Sequence, residues 1–195
     1  YSADEIMQIS HTNPLRAMTS EMEEAMREEI LKAKADGDSV GGVIRCVAKG
    51  LPAGLGEPFF DTLDGEIAKA VFAIPGVKGI EFGAGFAAAS LRGSENNDSY
   101  LMQDGVVSTK TNNAGGILGG MSNGAALEFS VAFKPTPSIS KRQDSVDLFD
   151  EKDAELSVRG RHDPCIATRG AVVVEAMTIF VIADLLIRGG FVCRN

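Results

Sequence analysis

Five side chains able to do chemistry fall within Arg159-Gly160-Arg161-His162-Asp163-Pro164-Cys165. Arg161 could grip a phosphate or carboxylate through two parallel N–H donors. Histidine is the residue type that changes charge near neutral pH, and His162 stands between the arginine and a carboxylate. Asp163 could accept a proton or orient a neighbour. Asp163-Pro164 also favours a turn, so a plain surface loop is a second reading. A long apolar run follows directly, which favours a pocket floor over an exposed tip. Lys134-Pro135-Thr136-Pro137-Ser138 combines a cation, two hydroxyls and two prolines that fix φ. It reads either as a pre-organised anion cradle or as a strand-end lysine reaching for solvent. Asn112-Asn113-Ala114-Gly115-Gly116-Ile117-Leu118-Gly119-Gly120 carries two glycine pairs separated by two apolar residues. Backbone amides there could approach a ligand closely, or the glycines could serve a tight crossing of packed elements. The spacing does not separate these two readings. Gly83-Ala84-Gly85-Phe86-Ala87-Ala88 matches G-x-G-x-x-A after a strand pattern. The long helix that a dinucleotide site needs is missing, since residues 91–98 read as loop, so chance or a strand bend explains the match better. His11 is isolated and reads as a surface residue. Two histidines without clustered acids do not suggest a metal site, and no nucleophile elbow is present. Asp38-Ser39 and Ser94 read as turn residues.

These segments need elements to hold them. Residues 19–35 predict a helix, with Ser20-Glu21-Met22-Glu23 as a capping box and Met22, Met26, Ile30 and Ala33 as its apolar stripe. Gly37 should end it. A strand is expected over Gly42–Ala48 and a loop over Pro52–Pro58. Leu63–Ile74 predicts a second helix with Leu63, Ile67, Ala70, Val71 and Ile74 inward, stopped by Pro75-Gly76. Val77–Phe82 reads as a strand, and Asp104-Gly105 marks a hairpin turn. Over Ala125–Phe133, Leu127, Phe129, Val131 and Phe133 alternate with small or polar residues, which is the period of a half-buried strand. Asp144–Glu155 reads as an exposed loop. Ala171–Ile187 predicts a helix apolar nearly all round and therefore buried. About three helices with short, hairpin-linked strands mean an α+β fold, with helices packed on antiparallel sheet.

The chain has 195 residues and a formal charge of −8. That length suits one domain with a real core. The ordinary apolar and charged fractions exclude a disordered tail, a collagen-like repeat and a disulfide-stapled miniprotein. The negative charge argues against a general nucleic-acid binder. Cys46, Cys165 and Cys193 are odd in number and form no C-x-x-C pair, so a reducing cytoplasm is expected. No signal peptide pattern opens the chain. The apolar run near its end carries Glu175 and Asp184 on roughly opposite sides, so no membrane span is expected.

Several blocks together resemble one family. Pro52-Ala-Gly-Leu-Gly-Glu-Pro58, Leu91-Arg-Gly-Ser94, Thr111 through Gly120, Lys134 through Ser138 and Gly160-Arg-His-Asp-Pro-Cys165 occur in the order seen in chorismate synthases. The last block, through Glu175-Ala176, resembles that family's C-terminal signature. The resemblance implies a helical layer packed between antiparallel β-sheets. It implies a lyase of the shikimate pathway that eliminates phosphate and a C6 hydrogen from 5-enolpyruvylshikimate 3-phosphate, in the 1,4-anti sense, to give chorismate. Reduced FMN is the implied cofactor, reduced by NADPH in some members and by outside reductants in others. A cytoplasmic homotetramer is the implied assembly.

By position, the resemblance places Gly119, Lys134, Pro135, Thr136, Pro137, Ser138 and Arg161 at the FMN. It places Asp163 near the flavin ring, assisting proton removal. An Asn-Ala pair that touches flavin in the family is Pro75-Gly76 here, which removes the asparagine side chain. Asn113 stands where some members have histidine and is given no catalytic role. The family's two catalytic histidines lie in blocks such as Gly-Glu-Ser-His-Gly, and no such block occurs in this sequence. The expectation is therefore a C-terminal portion of the enzyme over residues 1–195, without the N-terminal half and inactive alone. A non-catalytic flavin- or nucleotide-binding module is the alternative.

Overall fold

The computed structural model describes residues 1–9, 11–103 and 105–192. In chain order its elements are α1 (Ala3–Ile9), α2 (Ser20–Ala35), β1 (Gly42–Ala48), α3 (Leu63–Phe72) and β2 (Val77–Phe82). Next come a 3-10 turn (Gly85–Ser90), α4 (Gly93–Asn96), β3 (Tyr100–Gln103), β4 (Val106–Thr109), β5 (Ile117–Leu118) and β6 (Met121–Ser122). The chain continues through β7 (Leu127–Phe133), β8 (Gln143–Asp147), β9 (Lys152–Leu156) and α5 (Ala167–Arg188). The architecture is α+β, with antiparallel sheets throughout.

β7 is the keystone of the main sheet, whose order is β1-β7-β2. Its alternation is realised as read: Leu127, Phe129, Val131 and Phe133 are all buried. Register pairs Phe129 with Cys46 and Phe82, and Val131 with Ile44 and Ile80, so one continuous apolar face forms. α3 lies on that face through Leu63, Ile67 and Val71, none of which has any exposed surface. Each such side chain contributes about 1.5–3 kcal/mol on burial. Thr62 caps α3 by accepting from the Gly65 N–H at 3.2 Å.

α5 packs beside α3 and across β1. Its buried positions Ala167, Gly170, Val174, Thr178 and Leu185 form one narrow stripe. Gly170 is required there, since a Cβ would sit 2.6 Å from the Phe133 ring. The expectation of a helix buried all round is corrected. Val172, Val173, Ile179 and Phe180 face outward, Phe180 at 71% exposure. The described residues build the helical layer and a sheet on one of its sides, and nothing among them covers the other.

Three further expectations are corrected. The helix cap is Thr19, whose hydroxyl accepts from the Met22 N–H at 3.2 Å, rather than Ser20. That shift leaves Met22 where a capping box needs Glu, and Glu23 pairs with Arg27 instead. α3 ends at Phe72, short of Ile74, although Ile74 is still buried. Residues 144–155 form the β8–β9 hairpin, not a loop. Both faces of that hairpin are solvated, so no apolar alternation reports it, and Phe149 at its turn is fully exposed. Asp104 of the expected hairpin turn and Cys193 lie outside the described residues, but β3 and β4 pair as antiparallel neighbours around that turn.

Candidate functional site

Three stretches meet beyond the end of β7: residues 37–41, 134–141 and 157–165. The helix stop at Gly37, at φ +69, starts the first. The Asp38 N–H reaches back to Ala33 and the Gly37 N–H to Lys34, which closes α2 and turns the chain toward β1. Ser39 Oγ then donates to the Thr136 carbonyl at 2.7 Å. The Val40 N–H donates to the Pro164 carbonyl at 2.8 Å. The Ser39 N–H and the Lys141 ammonium hold the Asp38 carboxyl below the usual carboxylate range. Asp38-Ser39, read as a simple turn, is thus the clasp between the other two stretches. The signal was available in the Gly41-Gly42 pair, since a Cβ on Gly41 would fall 2.5 Å from the Phe133 carbonyl.

The 134–138 stretch hangs from the sheet by its backbone. The Lys134 N–H donates to the Gly76 carbonyl at 2.9 Å, so Pro75-Gly76 adjoins the cradle after all, through main chain. Lys134 and Arg161 are exposed and make no ion pair among the described residues. Thr136 Oγ1 is buried without a hydrogen-bond partner. Ser138 Oγ lies 3.3 Å from His162 Nδ1, and His162 Nε2 donates to the Val158 carbonyl at 2.9 Å. Asp163 Oδ1 accepts from the Cys165 N–H at 3.1 Å, which fixes the turn into α5. Arg169 Nε lies 3.2 Å from Asp163 Oδ2, an ion pair too poorly aligned for a hydrogen bond, so that oxygen remains an unfilled acceptor. The arrangement therefore joins, on adjoining stretches, two cations without ion pairs among the described residues, a buried hydroxyl without a partner and a carboxylate oxygen without a hydrogen bond. That set suits a phosphate-bearing ligand with hydrogen-bonding groups, because buried polar atoms are rarely left unmatched.

Gly119 is not brought to this edge. Gly119-Gly120, at φ +60 and +82, forms the two-residue turn between β5 and β6. The Gly120 carbonyl accepts from the Leu63 N–H at the start of α3. Lys134 lies past the other end of that helix, roughly 15 Å along it at 1.5 Å per residue. Three of the four glycines answer to the tight-crossing alternative, Gly120 with a Cβ 2.4 Å from Thr62 Cγ2. Gly115 and Gly116 are tight crossings, with a Cβ at either one 2.4 Å from Gly83 N or from the Ala126 carbonyl. Gly119 has open space around it. Gly83 and Gly85 lead into a 3-10 turn and no long helix, and a Cβ on Gly83 would meet the Asn113 carbonyl at 2.1 Å.

Sequence reading missed Asp98. It is buried, and its carboxylate accepts from Thr111 Oγ1 and the Asn113 N–H at 2.7 Å each and from the Ala114 N–H at 2.9 Å. Burial pushes this carboxyl up, but the Ala114 N–H, the Thr111 hydroxyl and the Asn113 N–H outweigh it and hold the group low. Two concavities are lined by residues other than 134–138 and 161–163, and the first adjoins the edge at Val40, Gly41 and Cys165. A groove of about 680 Å³ runs between α2, β1 and α5, lined by Met7, Met22, Met26 and Cys46, with His11 and Arg16 beside Glu175 at one end. A polar hollow of about 380 Å³ holds the Arg45–Glu128 ion pair beside Asn112.

A family model described as chorismate synthase matches residues 2–187. A chorismate synthase of Methanosarcina mazei is 51% identical over 98% of this chain and 52% of its own length. One of Archaeoglobus fulgidus is 50% identical over 99% of this chain and 54% of its own. One of Dehalococcoides mccartyi is 56% identical over 85% and 45%. A crystal structure of chorismate synthase superposes with a TM-score of 0.77 at 30% identity, over 95% of this chain and 48% of that one. The chain thus spans about half the length of the curated relatives it matches.

Proposed function

The chain belongs to the chorismate synthase family, and we propose that its 134–138 and 161–163 stretches form the flavin-binding edge of such an enzyme. The activity in question is elimination of phosphate from 5-enolpyruvylshikimate 3-phosphate to give chorismate, within the shikimate pathway. The observation that carries the reading is the buried, unpartnered Thr136 Oγ1 on a stretch that Ser138 joins to the His162 loop, where Asp163 Oδ2 likewise lacks a hydrogen bond. The residues present fit FMN: a phosphate would find Lys134, Ser138 and Arg161, and ring groups would find Thr136 and Asp163. Reduced FMN, when bound, supplies electron density to the allylic system as phosphate leaves.

The chain's own groups bind and orient. Lys134 and Arg161 neutralise phosphate charge, and Arg161 adds directional N–H donors. Pro135 and Pro137 fix the cradle backbone before ligand arrives, which lowers the ordering cost. Asp163 has Oδ1 on the Cys165 N–H and Oδ2 beside the Arg169 guanidinium without a hydrogen bond, and we assign proton acceptance to Oδ2. Neither histidine is placed as a free acid. His162 is engaged at both nitrogens, and His11 stands at the groove mouth 3.8 Å from Glu175. Turnover therefore needs acid–base groups that the relatives carry beyond the matched half. We assign the working enzyme to a cytoplasmic homo-oligomer, a tetramer as in the family, with NADPH as a source of flavin reduction. The uncovered outer face of α5 supports association.

The test is phosphate release from 5-enolpyruvylshikimate 3-phosphate with reduced FMN under anaerobic conditions. The isolated 195-residue chain is expected to release none above background. Mixed with the other half of a relative, it should gain turnover that Asp163→Ala removes. Robust turnover by the chain alone would contradict this assignment of roles, and turnover indifferent to Asp163→Ala would remove the carboxylate from the reaction. A non-catalytic flavin-binding module is the competing reading, favoured by the engaged histidines. It predicts flavin binding lost in Lys134→Ala and no turnover in any mixture.

A further inference from the structure

His162 has a hydrogen-bond pattern that none of the roles above uses. A carbonyl can only accept, so the bond from Nε2 to Val158 fixes a proton on Nε2. The other nitrogen faces a hydroxyl, which can donate or accept. With a neutral ring, Ser138 must spend its single O–H on Nδ1. With a charged ring, Nδ1–H donates to Ser138 Oγ, and the Ser138 O–H is released for a third group. In the cradle that third group is a phosphate oxygen.

We propose that phosphate binding at the cradle is coupled to uptake of one proton by His162. The step balances simply. A proton from solvent adds to Nδ1, Nδ1–H turns its bond toward Ser138 Oγ, and the Ser138 O–H donates to the phosphate. No covalent bond between heavy atoms changes, and the complex gains one positive charge against a dianionic ligand. His162 is a positioning residue here, acting through Ser138. The charged groups on the surrounding stretches are Arg159, Arg161 and Asp163 on its own loop, Arg169 at the start of α5, Lys134 and Lys141 on the cradle side, and Asp38 on the clasp. Asp38 is paired with Lys141 and Asp163 with Arg169, so among the described residues of these stretches each carboxylate already has a cation beside it. This inference rests on the cradle reading above.

The experiment is calorimetric titration of the chain with FMN between pH 7.5 and 8.5, in pairs of buffers with different ionisation heats. The FMN phosphate stays dianionic there, since such monoesters titrate near pH 6. The chain should take up close to one proton, with affinity falling up to about tenfold per pH unit. Riboflavin, which lacks the phosphate, should bind without proton uptake. In His162→Gln an amide N–H can still reach Val158 and an amide oxygen can still accept from Ser138, but no proton can be gained. That variant should bind FMN with a flat pH profile, and Ser138→Ala should also lose the coupling. Proton uptake in the wild type no greater than in His162→Gln, or equal uptake with riboflavin, overturns the inference alone. Failure of every form to bind FMN overturns the cradle reading and the inference together.

Discussion

Thr136 Oγ1 and Asp163 Oδ2 are the atoms on which the site rests, because each is buried without a hydrogen-bond partner. Asp98 shows the opposite condition, a carboxylate whose partners are all supplied by the chain. Asp98→Ala should cost about 2–3 kcal/mol in urea unfolding, since charge-assisted bonds to Thr111, Asn113 and Ala114 are lost. The pH sign follows from its lowered carboxyl. The stabilisation is complete above the unfolded aspartate range and disappears as pH falls through the folded value. The gap between wild type and Asp98→Ala should therefore close in acid, and a constant gap would contradict this role. Cys46 gives a second residue-scale prediction. Burial pushes its thiol up to about 11, with Glu175 adding to the effect and the Thr178 hydroxyl opposing it. Alkylation of Cys46 at pH 8 should be slow and should rise about tenfold per pH unit toward that value. Fast labelling at pH 8 would show a more open groove.

The elements were legible where one face is buried and one is not. β7 alternates because one side meets α3 and α5, and β1 and β2 were found from their own apolar character and flanking turns. The β8–β9 hairpin escaped because neither side is buried, so sequence carries no two-residue period there. α5 was read as buried all round because hydropathy registers apolar residues without saying what covers them. Within the site, the cradle and the Arg161–Asp163 loop were visible as unusual local composition. The Asp38–Gly41 clasp and Asp98 were not, because their meaning lies in main-chain partners far away in sequence. Gly83 tests the element-scale packing directly. Its φ is +55, and its Cα approaches the Asn113–Gly115 main chain too closely for any side chain. Gly83→Ala should destabilise the fold by about 2–3 kcal/mol, from overpacking and a strained backbone. A neutral result would mean that the β2 exit and the glycine-rich stretch do not cross this tightly.

At the scale of the molecule, the described residues clothe one side of the helical layer with sheet and leave apolar side chains of α5 exposed on the other. Ile179 and Phe180 on α5 are exposed at 60% and 71%, in a helix long and apolar enough to cross a membrane by composition alone. Its inner stripe is instead spent on α3 and β1, and its Glu175 pairs with Arg16 at 3.0 Å. The isolated chain should bind an environment-sensitive apolar dye, and Phe180→Ser should reduce that binding while leaving unfolding within about 0.5 kcal/mol of wild type. Equal dye binding by both would place the bare surface elsewhere. We propose that the edge built by 37–41, 134–138 and 161–163 receives the flavin phosphate. Backbone amide resonances followed during titration with FMN test it most directly. The largest shifts should fall on Thr136, Ser138, Arg161 and Asp163, and Lys134→Ala should abolish them. Shifts centred instead on the Arg45–Glu128 hollow or the Met-lined groove, with the cradle unmoved, would contradict it.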